Sequence, residues 1–101
     1  MSARTEPDAD GLVTAVRATP GVARMYAGRF GEIATYLPGR KVSGVEIGEE
    51  RVVVHVVARY GVPTPALAET VRAAAALYAP GFAIDVVIED VELTPEEGAH
   101  G

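Results

Sequence analysis

The sequence predicts an α+β fold: a two-layer sandwich with two helices packed on one face of a mixed β-sheet, in the order α-β-β-β-β-α-β. Three observations predict it. Residues 51–60, RVVVHVVARY, alternate in the two-residue period of a strand. Residues 64–78 follow with apolar side chains at helical spacing. Residues 82–92 return to a strand pattern. A strand, a helix and a strand in succession make a crossover unit, which is right-handed in nearly all proteins and places its helix over one sheet face.

Each element has a local cause. Asp10 is the predicted N-cap of a short helix ending near Ala18, with Leu12 and Val16 four residues apart on one face. Thr19-Pro20-Gly21 stops it, because proline disfavours helical geometry in the residue before it. Val22 to Ala27 is a predicted strand, residues 28–31 a turn, and Glu32 to Leu37 a second strand ended by Pro38-Gly39. Val45–Ile47 and Arg51–Tyr60 form a hairpin around Gly48-Glu49-Glu50. Thr64 is the expected cap of the main helix, with Pro65 at its first position, where the missing N–H costs nothing. Leu67, Val71, Ala74 or Ala75, and Tyr78 trace its buried stripe, and Glu69 and Arg72 lie off it. Pro80-Gly81 ends the helix. In the last strand Phe82, Ile84, Val86 and Ile88 share one face, and Asp85, Val87, Glu89 and Val91 the other.

The expected organisation is a polar lead-in over residues 1–9, one domain over 10–93, and a polar tail over 94–101. At 101 residues the chain suits a single core. It is 49% hydrophobic and 23% charged, an ordinary globular balance. With no cysteine it has no disulfide, thiolate ligand or thiol nucleophile. MSARTEPDADG has no apolar signal-peptide core, and no stretch reaches the ~20 apolar residues that span a bilayer, so no direct membrane insertion is expected and any membrane role would go through a partner. The net charge of −5 divides into −2 over residues 1–16, +3 over 17–72 and −6 over 73–101. With a pI near 4.9 and scattered arginines, no nucleic-acid partner is expected. Arginine outnumbers lysine eight to one, and asparagine and glutamine are absent, a pattern of GC-rich coding.

Chemistry has few footholds. Ser2 and Ser43 have no nucleophile-elbow residues around them. AGRFG and PGRK are ordinary glycine turns, without the spacing of a phosphate loop. No catalytic, cofactor-binding or metal-binding residue is assigned. His55 is the one histidine outside the tail, and Asp85 or Glu89 would lie near it if the two long strands are neighbours. Alternation alone makes such pairs, so a salt bridge is the plain reading; a pH-sensitive interface or a ligand site around His55 are the alternatives. A metal site would need three converging ligands. The sheet face away from the helices mixes Val53, Val57, Val87 and Val91 with His55, Arg59, Asp85 and Glu89. Valines ringed by charge fit an interface, and valine is also a good strand former. Arg29, Arg40 and Lys41 form a possible basic edge for an acidic partner.

Three segments together resemble one family. GRFGEIATYLPGRKVSGVEIG (28–48) resembles its glycine-rich strand and turn. RVVVHVVARYGVPTPALAETVRAAA (51–75) resembles its valine-rich strand, Tyr-Gly-Val segment and proline-opened helix, and FAIDVVIEDVEL (82–93) its closing strand. The chain is identified as resembling the alkaline shock protein family, the envelope stress response proteins of Gram-positive bacteria. Its Arg- and Ala-rich composition fits an actinobacterial version. The resemblance implies a non-enzymatic, self-associating cytoplasmic protein, recruited to the membrane by an anchor protein, without a cofactor. A nucleic-acid-binding module is the contrasting reading, because the order superficially resembles KH-like domains, but the GxxG loop between helices is lacking.

Overall fold

The structure, a computed structural model, describes residues 5–93. The chain runs α1 (Ala9–Arg17), β1 (Val22–Met25), β2 (Ala34–Leu37), β3 (Arg40–Ser43), β4 (Val45–Ile47), β5 (Arg51–Arg59), α2 (Thr64–Ala76) and β6 (Ala83–Glu92). This is the expected α+β fold with one strand more than the sequence predicts before α2. The expectations for residues 1–4 and for the tail 94–101 lie outside the described residues.

The cap of α1 is Asp8, not Asp10. Its carboxylate accepts the Gly11 N–H at 3.0 Å, and its own N–H donates to the Tyr78 carbonyl at 2.8 Å, so the fold begins inside the predicted lead-in. Asp10 sits in the first turn, where a negative charge favours the helix dipole, and pairs with Arg40. Leu12 and Val16 are fully buried.

Pro38-Gly39 joins β2 to β3 in a hairpin from Ala34↔Ser43 to Leu37↔Arg40. The chain then passes straight into β4 through Gly44, whose φ of +87° suits glycine. A Cβ there would also lie 2.9 Å from the Met25 Cβ.

β5 is the axis of a four-stranded mixed sheet. β4 pairs antiparallel with Val52–Val54 and β1 with Val56–Ala58. Between them, the His55 N–H donates to the Gly44 carbonyl and the His55 carbonyl accepts from the Tyr26 N–H. One residue's N–H and C=O point to the same strand edge, so β4 and β1 share one edge of β5. β6 pairs parallel along the other, from Arg51↔Ala83 to Arg59↔Glu92.

Both helices cover one face. Leu12, Val16, Leu67, Val71, Ala75 and Ala79 meet Val22, Val45, Val52, Val54, Val56, Ala58 and Ile84 in one cluster. The buried stripe of α2 is Leu67, Val71 and Ala75. Its cap position is Pro63, which makes no side-chain cap bond, so Thr64 is the first helical residue and not the cap. Among the described residues no helix is long and apolar enough to cross a membrane.

β6 carries a bulge. Val56 opposes Ile88, but Val57 opposes Asp90, leaving Glu89 as the extra residue. Beyond it the facing of β6 reverses. Val91 opposes Ala58 on the helix side, which corrects its predicted place on the other face.

Candidate functional site

The predicted site is the sheet face that no helix covers. Strand register places Glu46, Val53 and Asp85 in one row, His55 beside Val87, Arg24, Val57 and Asp90 in the next, and Arg59 beside Glu92. The face is knitted by charge. Arg51 donates to Asp85 at 2.7 Å, and Arg24 pairs with Glu92 at 3.5 Å. His55 Nδ1 lies 2.7 Å from Glu89 Oε2, and Nε2 lies 2.8 Å from Glu46 Oε1.

His55 is thus held between two carboxylates, one from each flanking strand. It is only 8% exposed. Each ring nitrogen faces one carboxylate oxygen, so the ring bridges β4 and β6 across β5. Among the described residues no group of three or more His, Cys, Asp or Glu side chains is arranged to hold a metal ion. Of the predicted neighbours, Glu89 reaches His55, whereas Asp85 turns to Arg51. Glu46 was not foreseen. Its signal was the hairpin register, in which Glu46 opposes Val53 and so sits diagonal to His55.

The valines divide. Val57 has no exposed surface, Val53 is half-buried, and Val87 is 37% exposed. Val91 is 43% exposed but belongs to the helix side. Accessible aliphatic surface on the uncovered face therefore comes from Val53 and Val87. Arg59 is exposed and has no ion-pair partner among the described residues.

The predicted basic edge also divides. Arg40 is bound to Asp10 on α1. Lys41 reaches the turn over residues 28–31, its Nζ 3.4 Å from the Gly31 carbonyl. Arg29, on that turn, is exposed and has no partner among the described residues. Beside it Phe30 is 86% exposed. The Phe30 N–H donates to Glu32 Oε1 at 2.9 Å. Hydrogen bonds from its own backbone N–H and that of Phe30 hold the Glu32 carboxyl below its ordinary value. Ser43 stands on β3, half-buried, and makes no catalytic array with His55.

Comparison with protein-family models, with curated proteins and with solved structures finds no match to this chain.

Proposed function

We propose that this chain is a non-enzymatic, self-associating adaptor of the alkaline shock protein type. It acts in the envelope stress response from the cytoplasm and is brought to the membrane by an anchor protein. The observation that carries the self-association is the one-sided layering: a four-stranded sheet with both helices on one face and Val53 and Val87 accessible among ion pairs on the other. Sheets with an uncovered face commonly meet a second layer, and in a two-fold contact each copy offers the same patch. The sequence resemblance supplies the cellular role.

Light scattering after size exclusion, across a concentration series, tests the reading. The expected mass rises above that of the monomer with concentration, and Val87→Glu moves that rise to higher concentration without changing the fold. Val57→Glu is unsuitable for this purpose, because Val57 is buried and the variant would lose stability as well as any contact. A strict monomer at every concentration sinks the proposal.

A further inference from the structure

We propose that Phe30 of one copy seats in the groove between α2 and β6 of the next, so that copies of this chain associate head to tail. The inference rests on the self-association reading above but uses a different pair of surfaces.

Phe30 is a braced knob. The Gly31 N–H donates to the Gly28 carbonyl at 3.3 Å, and the Ile33 N–H to the Ala27 carbonyl at 2.8 Å. Glu32 takes the Phe30 N–H, and Lys41 reaches the Gly31 carbonyl. Gly28 has a φ of +91°, and a Cβ there would lie 2.6 Å from the Glu32 carboxylate. Single exposed apolar residues are ordinary on protein surfaces. An aromatic ring held outward by a tied turn is different, because docking it orders little that is not already ordered.

The groove offers an apolar wall and negative charge. It is an open groove of about 530 Å³ between the first turns of α2 and the outer part of β6, with Pro65, Ala68, Val86, Ile88 and Val91 as its apolar wall and Thr64 and Glu89 beside them. The bulge at Glu89 turns Val91 to the helix side, where it lines the groove opposite the small Ala68 of α2. Its lip carries Asp90, which has no cation partner among the described residues. The knob carries Arg29, likewise without a partner. A groove with an apolar wall and an acidic lip suits an aromatic ring beside an arginine.

One molecule cannot satisfy both surfaces. The knob follows β1, on one edge of β5, whereas β6 lies on the opposite edge. A knob on one edge and a slot on the other make a heterologous contact, which repeats into a ring or an open chain.

Two variants test this, followed by light scattering with circular dichroism to check the fold. Phe30→Ser removes the knob and keeps the groove; Ala68→Glu blocks the groove and keeps the knob. Wild type is expected to grow beyond the dimer with concentration, and each variant to need a roughly tenfold or greater concentration for the same growth. An equimolar mixture of the two should regain a single contact and form a discrete larger species that neither forms alone. Should Ala68→Glu fail to fold, Arg29→Asp beside Phe30→Ser weakens the same contact from the knob side. Wild-type growth by Phe30→Ser, or no new species in the mixture of folded variants, overturns the inference. Val87→Glu separates the two proposals: if it alone abolishes association, the head-to-tail contact falls and the face contact stands. If Phe30→Ser alone does so, the reverse holds. A wild type that never associates overturns both.

Discussion

The two faces of β5 reach nearly the same burial by different means. On the helix side Val52, Val54, Val56 and Ala58 are covered by an aliphatic layer from α1 and α2. On the other side no element among the described residues covers the strand, yet Val57 is as buried as they are and His55 nearly so. The difference lies in the neighbours. Arg24 on one edge strand reaches Glu92 on the other, across β5 near Val57, and Glu46, His55 and Glu89 form a second chain across three strands. Long charged side chains bury their stems on apolar surface while their heads pair in water. One face is thus sealed by packing, the other by a roof of ion pairs. The exposed Arg24–Glu92 pair is worth about 0–1 kcal/mol, so that part of the roof shields more than it stabilises.

Substitutions can break that comparison in order of expected effect. Val57→Glu is the harshest, because it forces a longer, charged side chain into a fully buried position; a loss of about 3–5 kcal/mol is expected in urea denaturation. A loss below ~1 kcal/mol would mean that Val57 is an ordinary surface valine. Leu12→Ala should cost about 2–5 kcal/mol by opening a cavity in the packed face. His55→Ala should cost roughly 1–3 kcal/mol, since it leaves Glu46 and Glu89 facing a space with no cation. Adding Glu46→Gln and Glu89→Gln should return part of that loss; no recovery would mean that the ring packs and does not bridge. Arg51→Ala should change stability by no more than about 0.5 kcal/mol, because the Arg51–Asp85 pair is about half exposed on both sides. A larger loss would make the roof a stabilising network and not a shield.

Much of this contrast was legible in the sequence, and the part that was not has definite causes. The even-numbered valines of β5, the Leu67–Val71–Ala75 stripe and the parallel return strand follow from period and chain order. The bulge at Glu89 does not, because an unbroken alternation of Val87, Glu89 and Val91 reads the same with or without an inserted residue. β3 was hidden by its brevity and its charged start, Arg40-Lys41, and it exists through pairing with β2. Asp8 and Asp10 are equally good caps by type, and only the Gly11 N–H decides between them. The burial of Val57 depends on which charges lie across the strand, which needs the register of three strands at once. The His55–Glu89 approach followed from pairing the two long strands, but Glu46 required the hairpin register as well.

The finest effect concerns the turn that presents Phe30, the part of the molecule least like either face, since it is held by backbone hydrogen bonds and one carboxylate. Glu32 is fully exposed, and its carboxyl lies below the ordinary 4.5 because ionised oxygens accept its own N–H and that of Phe30. A carboxyl lowered in the folded state binds protons less readily there than in the unfolded chain. Its contribution is therefore complete above that ordinary value and fades as the pH falls through the lower folded one. The window lies below about 4.5. Acidification through it should speed amide hydrogen exchange at Phe30 while amides of β5 hold, and Glu32→Gln should exchange faster at neutral pH and lose that pH response. If the Phe30 amide exchanges at the same intrinsic-corrected rate across the window in both proteins, the carboxylate does not brace the turn, and Gly28, Gly31 and Lys41 alone hold the ring outward.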